Sequence, residues 1–456
     1  MTKPLRIALV EATSDLTHVY SRTRLPRVGL ATLGAILKQE GYLCDLLIKP
    51  MTRTEREGLE SYDIVGIGSL SSTIDEAYSL ADELRKKNVP VIMGGPHASF
   101  MPEEALDHCD YVVTGEGETV LPALVKFIEN RTRPGMMNGL SFKNGDGSYT
   151  HGGMADHVDY ASVPSPDFLL SSQIGPSEIP PIVATSRGCP HDCSFCSVTP
   201  LFGRKYRFKS NEQVIRELRP IQHRSVCFGD DNFCANPSRA KSLLRELIEK
   251  EAVPLRWSCQ MCVNASSDTE LLALMQKTRC RIAYIGIESV NPGTLKKYGK
   301  SHQLDAVKRC VQNLHEHDIG IHGMFVVDSN DAPDAAKNIV DYAISLDIDT
   351  IQVFSITPFP GTRSYVENKE RLIHKDWSKY DGMHVVVHPS SCSAMSLQMN
   401  IVNEMKRFYS LKRCLTSYRK GRAWRMKYRA GGHFLLKKWI MENSDYINTL
   451  SSSKGT

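Results

Sequence analysis

Two long segments of this chain alternate strand-like apolar runs with helical periodicity, and this alternation limits the fold more than any other feature. The strand candidates of the first segment are 6–12, 43–49, 64–70, 90–95 and 111–115. Those of the second segment are 181–188, 225–231, 256–261, 282–289, 319–328 and 349–358. Strands that alternate with helices pair in parallel, so the sequence predicts an α/β protein built on two parallel sheets.

A stretch rich in Gly, Pro, Ser and Asp separates the two segments. Within it, KNGDGS (143–148) predicts a hairpin turn and DYASVPSPDF (159–168) predicts an extended linker. We therefore predict a Rossmann-like domain over 1–130, a linker over 131–180 and a partial (β/α)6 barrel over 181–365. The last residues, 366–456, lose the alternation and are predicted to be mainly helical.

The composition favours a cytoplasmic protein. No apolar run approaches the ~20 residues of a membrane-spanning helix, and the N-terminal MTKPLRIALVEA lacks the pattern of a signal peptide. The chain has 13 cysteines. In a long chain without a secretion signal, such cysteines indicate reduced thiols and metal ligation rather than a disulfide scaffold.

Three of these cysteines, Cys189, Cys193 and Cys196, follow the first strand of the predicted barrel with C-x3-C-x2-C spacing. A closed zinc site and a fully protein-ligated iron–sulfur cluster each need four ligands, so three cysteines leave one position open for a substrate or cofactor. The alternative is a structural metal site that takes a fourth ligand from His191, Cys227, Cys234 or elsewhere. Functional residues of such barrels lie at the carboxyl ends of the strands, where this loop falls.

Glycine- and serine-rich turns end three strands of the first segment. They read GSLSST (68–73), GGPHAS (94–99) and GEGET (115–119). Ligands of parallel sheets bind at these strand ends, where glycine lets the backbone approach closely. The alternative is that all three are ordinary tight turns between strand and helix.

The cysteine spacing, with the aromatic Phe195 before the last cysteine, resembles the radical S-adenosylmethionine (SAM) superfamily. The resemblance implies that Cys189, Cys193 and Cys196 hold a [4Fe–4S] cluster whose open iron binds SAM. Reduction through that cluster would cleave SAM to a 5′-deoxyadenosyl radical that abstracts hydrogen.

Three later stretches extend this resemblance. FGDDNF (228–233) is similar to the family's Gly-Gly-Glu element but departs from it in sequence, and by carry-over Gly229, Asp230 and Asp231 would contact SAM. YIGIES (284–289) resembles the fourth-strand motif, so Glu288 would reach the ribose or methionyl end of SAM. The alternative for Glu288 is a salt bridge within the barrel. TPFPGT (357–362) resembles the family's Pro-Gly turn beside the adenine.

A Rossmann-like domain before such a barrel resembles the cobalamin-binding radical SAM proteins. The stretches 26–42, 91–106 and 112–118 look like that group's first helix and its fourth- and fifth-strand turns. By carry-over, the cobalamin site would be lined by Ser69, Ser71, Ser72, Gly94, Gly95, Gly115, Glu116 and Gly117.

The D-x-H-x-x-G motif, whose histidine ligates cobalt in other cobalamin domains, is missing from this sequence. Neither His18 nor His97 sits in that pattern. If cobalamin binds, no histidine of that motif ligates its lower face. The alternative is a degenerate domain that binds no cobalamin.

The combined resemblance implies a C-methyltransferase that uses methylcobalamin and the 5′-deoxyadenosyl radical at an unactivated carbon, with no side chain assigned a catalytic role. An electron donor such as ferredoxin or flavodoxin would reduce the cluster. One alternative is a radical SAM cyclase, oxidase or rearrangement enzyme that transfers no methyl group. Another is a non-catalytic iron–sulfur protein that binds nucleic acid.

The C-terminal region is strongly basic. Residues 405–440 contain twelve Lys or Arg and no Asp or Glu, with aromatic residues interleaved among them. This pattern fits an exposed helical face, contact with anionic lipid, a clamp for an anionic substrate, or nucleic-acid binding. We favour a small-molecule substrate, either a lipid or a tetrapyrrole. Peripheral contact with a membrane is kept as a further alternative, and no stable nucleic-acid partner is expected.

Overall fold

The computed structural model describes residues 4–14, 26–300, 302–419 and 423–452. His18 lies outside these described residues. The predicted α/β class is confirmed, with two parallel sheets and a helical C-terminal region. No helix of the described residues combines the length and apolarity needed to cross a membrane.

The first sheet has seven strands in the order β2-β1-β3-β4-β5-β6-β7. These strands are β1 (Arg6–Glu11), β2 (Leu43–Leu47), β3 (Ile64–Gly68), β4 (Val91–Gly94), β5 (Tyr111–Val113), β6 (Leu140–Lys143) and β7 (Tyr149–His151). Strands β1 to β5 pair in parallel, as the alternating pattern predicts. The predicted turn at 143–148 closes the antiparallel hairpin β6–β7, which adds to the edge of this sheet at β5.

Helices cover both faces of the first sheet. They are α1 (Val28–Gln39), α2 (Arg53–Gly58), α3 (Ile74–Lys86), α4 (Pro96–Phe100), α5 (Pro102–Leu106) and α6 (Gly117–Glu129). The strand residues alternate between two apolar clusters, so that Ile7 and Leu9 pack on one face of β1 while Ala8 and Val10 pack on the other. Burial on both faces explains why these strands read as nearly continuous apolar runs.

The second sheet has six parallel strands in the order β15-β14-β13-β12-β11-β8. Its strands and the short antiparallel pair beside it are β8 (Ile182–Val183), β9 (Ser186–Arg187), β10 (Arg207–Phe208), β11 (Ser225–Phe228), β12 (Arg256–Met261), β13 (Cys280–Glu288), β14 (Gly320–Val327) and β15 (Thr350–Ser355). The single strand predicted over 181–188 is divided into β8 and β9, and β9 leaves the sheet to pair with β10.

Helices alternate with the strands of the second sheet and bury one large apolar core against it. They are α7 (Val198–Phe202), α8 (Asn211–Leu218), α9 (Pro237–Glu249), α10 (Thr269–Lys277), α11 (Pro292–Lys297), α12 (Leu304–Glu316), α13 (Ala335–Ser345) and α14 (Arg363–Asn368). The sheet order leaves β8 and β15 as its two edges, so this is a partial barrel.

Four helices form the described C-terminal region. They are α15 (Ala394–Phe408), α16 (Leu411–Arg419), α17 (Ala423–Glu442) and α18 (Ser444–Ser452). Two of them, α15 and α17, pack against the edge strand β15. The Tyr409 hydroxyl accepts a hydrogen bond from the backbone N–H of Ile351 at 3.0 Å and donates to the carbonyl of the same residue. These bonds occupy backbone groups that an edge strand otherwise leaves unpaired.

A connecting segment between α14 and α15 joins the two domains. Trp377, Tyr380, Val386 and Val387 belong to the apolar core of the first sheet although they lie far along the chain. The Trp377 indole N–H donates to Glu104 at 3.0 Å. The C-terminal region therefore contacts both sheets, which helps to fix how they face each other.

Candidate active site

The carboxyl ends of both sheets border one cavity of about 460 Å³. The first sheet contributes six glycines at or near the carboxyl ends of its strands, which we call the glycine edge: Gly66, Gly68, Gly94, Gly95, Gly115 and Gly117. The barrel side contributes Ile182, Ala184, Ser186, Arg187, Gly229 and Asp231. A molecule bound here would contact both domains at once, at the position where parallel sheets bind their ligands.

Two glycines at the rim of the cavity have backbone conformations that disfavour any other residue. Gly95 has a φ of +99° and Gly115 a φ of +87°. A Cβ on Gly95 would come within 3.0 Å of the Ser69 backbone. The strand ends therefore approach each other more closely than side chains would allow, which fits a site that holds a flat ligand against bare backbone.

The three predicted serines are in different environments. Ser69 is fully buried, and its hydroxyl has no hydrogen-bond partner among the described residues. The Ser71 hydroxyl lies 3.0 Å from His97 Nδ1 and is committed to that contact. Ser72 is half-buried. None of the three serines is among the described residues that line the cavity, and Ser69 lies against the backbone of Gly95, which does line it.

His97 is turned away from the cavity. Its ring is buried, its Nε2 lies 3.1 Å from a Glu104 carboxylate oxygen, and its edge meets Trp377 with ring centroids 4.7 Å apart. No histidine lines the cavity in the described part of the chain. The described lining of the cavity therefore offers no imidazole to a bound ligand.

Glu116 lines the cavity, but its carboxylate is used to join the domains. It accepts hydrogen bonds from Arg207 Nη1 and from the backbone N–H of Val158, both at 2.8 Å, and Arg187 lies 3.5 Å away. Burial by itself raises the pKa of Glu116, yet these donors and positive charges hold it below its ordinary value. Its side chain is therefore not free to hold a ligand.

Arg187 is a cavity residue that the sequence predictions missed. Its guanidinium lies between the rings of Tyr160 and Phe202, at 4.6 and 5.3 Å, and makes a 2.7 Å ion pair with Glu118. The sequence signal that could have identified Arg187 is its position just before the cysteine loop. The two rings hold this cation in one place and shield it from water.

The FGDDNF stretch places two neighbouring carboxylates in unlike settings. Asp230 is fully enclosed and accepts hydrogen bonds from the Thr185 N–H and hydroxyl and from the Ser186 hydroxyl. Asp231 lines the cavity, and burial together with the nearby Asp230 raises its pKa to about 6. Asp230 therefore fixes the strand ends, whereas Asp231 and the backbone of Gly229 can face a ligand.

The cysteine loop is held from two sides. The Ser194 N–H donates to the Tyr298 carbonyl at 3.3 Å, and its own carbonyl accepts from the Ser364 N–H at 2.9 Å. Arg363 makes a 2.8 Å ion pair with Asp192. These contacts fix the loop between the turn after α11 and the start of α14.

The three thiols lie close enough to influence one another electrostatically, and Asp231 is within the same range of Cys189 and Cys196. Burial raises the pKa of each thiol, that of Cys196 to about 12. No three His, Cys, Asp or Glu side chains converge as a ready-made metal site in residues 4–14, 26–300, 302–419 and 423–452. Burial therefore favours the protonated thiols, and a bound metal would favour the thiolates.

Glu288 and Lys300 form a buried ion pair beside the loop. Lys300 Nζ lies 2.9 Å from Glu288 Oε1 and also within reach of the Cys193 thiol. Glu288 has a φ of +67° at an irregularity between β13 and β14, and Gly286 leaves room for its carboxylate. The salt bridge considered as the alternative for Glu288 is thus present. Its strained backbone is typical of functional sites.

A row of polar side chains crosses the inner face of the barrel below this pair. Gln260, Tyr284, His322 and Thr350 are in register on four neighbouring strands. His322 Nδ1 lies 2.9 Å from the Thr350 hydroxyl, and burial lowers the pKa of this histidine to about 4. The row gives the barrel interior neutral hydrogen-bonding groups, which the strand patterns alone did not reveal.

Residues 183–343 match the radical SAM superfamily and residues 19–125 match the B12 binding domain. A methyltransferase of Pyrococcus horikoshii described as uncharacterized is 32% identical over 383 residues, which are 78% of this chain and 81% of that one. A bacteriochlorophyllide d C-12(1)-methyltransferase of Chlorobaculum tepidum is 29% identical over 364 residues, covering 77% and 76% of the two chains.

More distant relatives differ in what they are named for. A hopanoid C-3 methylase of Methylococcus capsulatus is 25% identical and aligns with 82% of this chain and 75% of its own length. An anaerobic magnesium-protoporphyrin IX monomethyl ester cyclase of Cereibacter sphaeroides is 27% identical and aligns with 89% of this chain and 70% of its own length. The relatives are thus named for two kinds of reaction, methyl transfer and cyclisation.

A solved structure shares the fold over nearly the whole chain. The cobalamin-dependent SAM radical enzyme OxsB, solved with aqua-cobalamin and SAM bound, superimposes with a TM-score of 0.71 at 18% sequence identity. The match covers 98% of this chain and 76% of OxsB. At this identity the likeness establishes the architecture of two domains and a helical C-terminal region.

Proposed function

Since this chain belongs to the cobalamin-binding radical SAM family, we propose that it is a C-methyltransferase that acts on an unactivated carbon of a small molecule. The observation that carries the proposal is the cavity lined by the glycine edge of the first sheet and by the barrel strand ends. When bound, the [4Fe–4S] cluster supplies the electron that cleaves SAM, and cobalamin supplies the methyl group.

The barrel residues have separate roles in this proposal. The cluster would be held by Cys189, Cys193 and Cys196. Gly229, Asp231 and the backbone of Asp230 would contact SAM, because they end β11 beside both the cavity and the cysteine loop. Glu288 would hold a hydroxyl or ammonium group of SAM, since it is a carboxylate at the end of β13.

The first domain would hold the corrinoid. Its backbone edge is formed by Gly94, Gly95, Gly115 and Gly117. Ser69, whose hydroxyl has no partner among the described residues, lies against Gly95 and would support this edge. Ser71, Ser72 and Glu116 would position this edge, because the side chains of Ser71 and Glu116 already contact His97 and Arg207.

The cavity can protect a reactive species from water. Most of its lining is apolar, including Leu33, Ile92 and Leu121, and the rings of Tyr160 and Phe202 enclose Arg187. Excluding water from such a site limits side reactions and strengthens the fixed charges in it.

The domain limits follow the same functional division. We propose a cobalamin-binding domain over 1–130, a connecting segment over 131–180, a radical SAM barrel over 181–365 and a C-terminal region over 366–456. The hairpin β6–β7 lies in the connecting segment and extends the first sheet.

The substrate is proposed to be a lipid or a tetrapyrrole, because the relatives are named for hopanoid and bacteriochlorophyllide methylation. We also propose a cytoplasmic location, a ferredoxin or flavodoxin as electron donor, and peripheral contact with a membrane. The second candidate function is a radical SAM cyclase, oxidase or rearrangement enzyme, which the named cyclase relative favours.

The test is an anaerobic reconstitution of the full chain with iron, sulfide and hydroxocobalamin, followed by SAM, a reductant and a panel of hopanoids and chlorophyll precursors. A methyltransferase binds the corrinoid and forms S-adenosylhomocysteine and 5′-deoxyadenosine. Its product gains the mass of one methyl group in place of hydrogen. A product with no added methyl group would support the second candidate, and the absence of 5′-deoxyadenosine would contradict both.

A further inference from the structure

Helix α17 buries two arginines beside Leu436 and Trp439, and it also exposes two large apolar side chains. Arg425 and Arg429 are buried, whereas Phe434 is 58% exposed and Met441 is 68% exposed. Long charged residues are rarely buried without partners, and large apolar residues at neighbouring exposed positions need an explanation.

The buried arginines fix the rotation of the helix. Arg429 Nε donates to the Asp349 carbonyl at 2.9 Å and its Nη2 donates to the Ile348 carbonyl at 3.0 Å. Arg425 makes ion pairs with Asp349 and, at 2.9 Å, with Asp347. These contacts to the segment before β15 determine which face of α17 points outward.

The outward face of α17 combines apolar and cationic groups. With 3.6 residues per turn, Lys427, Phe434, Lys438 and Met441 fall within about 60° of one another around the axis. All four are exposed. A helix of 20 residues spans about 30 Å, so this face is long enough to lie along a surface.

The neighbouring helix α16 presents a similar stripe. Leu411, Leu415 and Tyr418 stand at positions i, i+4 and i+7, and each is more than half exposed. Helix α16 is joined to α17 by a 2.8 Å hydrogen bond from Arg429 to the Ser417 hydroxyl. We call the exposed apolar residues of the two helices the C-terminal patch: Leu411, Leu415, Tyr418, Phe434 and Met441.

Positive charge surrounds the C-terminal patch. Residues 405–440 contain no Asp or Glu. Lys412, Lys427 and Lys437 make no ion pair within the part of the chain that the structure describes, whereas Lys438 pairs with Glu442 at 3.4 Å. Apolar side chains flanked by lysines are the features that bind the interface of an anionic bilayer.

We propose that the C-terminal patch docks this protein on the surface of a membrane that contains anionic lipid. A second copy of the chain is a poorer occupant, because a two-fold contact would bring the cations of both copies together. The apolar residues would enter the boundary of the acyl chains while the lysines meet the lipid phosphates. The proposed function includes contact with a membrane, and this inference specifies the surface of the protein and the class of lipid. It does not depend on whether the protein transfers a methyl group.

The test is flotation of the purified full chain with vesicles, in the absence of any substrate. The vesicles are phosphatidylcholine alone and phosphatidylcholine mixed with phosphatidylglycerol. We expect binding to the mixed vesicles, and a fall of roughly tenfold or more in partitioning for Leu415→Glu and for Phe434→Glu, since each removes apolar contact and adds repulsion. Replacing both Lys427 and Lys437 with Gln should reduce binding to the mixed vesicles and make it less sensitive to salt.

The matched control is Leu255→Glu, which makes the same change at an exposed leucine outside the C-terminal patch and should bind as the native chain does. Circular dichroism melting of every variant checks that folding is retained. Absence of binding to mixed vesicles, equal loss in the control, or undiminished binding of both Glu variants would overturn the proposal. A concentration-dependent dimer that Leu415→Glu dissociates, with no vesicle binding, would assign the face to a second copy instead. Loss of methyl transfer with vesicle binding intact would contradict only the proposed function.

Discussion

Lys300 Nζ lies 2.9 Å from Glu288 Oε1 at the edge of the cysteine loop, and both side chains are largely buried. Burial alone lowers the pKa of Lys300, but the Glu288 carboxylate more than offsets this effect and holds it above its ordinary value. The lysine is therefore charged at neutral pH. It places one positive charge where the predicted cluster and its thiolates would add negative charge.

Replacing Lys300 with Met should destabilise the protein by about 3 kcal/mol, because it leaves the Glu288 carboxylate buried without its partner. The double variant Glu288→Gln/Lys300→Met should recover part of this loss, since neither charge then remains. Urea unfolding of the native chain, both single variants and the double variant measures the coupling. Additive losses would show that the pair does not interact energetically.

Simultaneous replacement of Cys189, Cys193 and Cys196 with Ala should abolish the visible iron–sulfur absorption of the reconstituted protein. Corrinoid binding should survive, because the glycine edge belongs to the first domain. The matched control is Cys392→Ala, which changes a cysteine of similar partial burial outside the loop and should keep both signals. Iron–sulfur absorption that persists in the triple variant would contradict the cluster assignment.

His322 is half-buried, with its Nε2 shielded from solvent and without a partner among the described residues, and it should make the protein sensitive to acid. Its folded pKa is about 4 and its unfolded pKa about 6.5, so the unfolded chain binds more protons between these values. Stability attributable to His322 is complete above pH ~6.5 and is lost as pH falls toward 4. At pH 5 the loss in the free energy of unfolding is about 2 kcal/mol. The His322→Gln protein should not show this loss. Urea unfolding at pH 7 and pH 5 compares the two proteins, and equal pH dependence would refute this role for His322.

The fold could be predicted from the sequence because both sheets leave regular apolar signals. The strand candidates over 6–12 and 256–261 coincide closely with β1 and β12. Strand β1 is buried on both faces and leaves a continuous apolar run, whereas β12 alternates buried and more exposed residues. The prediction over 181–188 missed the division into β8 and β9. That division depends on pairing between Arg187 and Arg207, two residues far apart in the chain.

Residues of the site could be predicted where the site needs particular residue types at a fixed spacing. Gly95, Gly115 and the cysteine triad stand out by type and spacing. What the side chains contact was not predictable. Glu116 was expected to line a cofactor site, but its carboxylate pairs with Arg207, 91 positions later in the chain. Such long-range partners of charged groups leave no periodic trace in a single sequence.

A contact between Phe100 and Gly361 joins the two domains and should depend on the absence of a side chain. Gly361 has a φ of +81°, and a Cβ there would come within 3.0 Å of the Phe100 ring. We expect Gly361→Ala to lower the unfolding free energy by about 2–3 kcal/mol, from backbone strain and overpacking together. Gly147→Ala is the control, since its φ of +86° is similar but nothing lies within 4 Å. Adding Phe100→Ala to the Gly361→Ala protein should remove the part of the destabilisation that comes from overpacking. If Gly361→Ala and Gly147→Ala lower the unfolding free energy equally, the contact is refuted.

Gly94 offers the sharpest test of the corrinoid edge, because a side chain there would enter the cavity without straining the backbone. A Cβ on Gly94 would meet Val113 at ordinary contact distance, 3.5 Å from its carbonyl oxygen. We expect Gly94→Leu to weaken hydroxocobalamin binding at least about tenfold by filling space that the ligand needs, a loss of about 1.4 kcal/mol. The iron–sulfur absorption should be unchanged. Gly58→Leu, at an exposed glycine with open space around it, should bind the corrinoid normally. Equilibrium dialysis measures both affinities, and full corrinoid binding by the Gly94→Leu protein would place the corrinoid elsewhere.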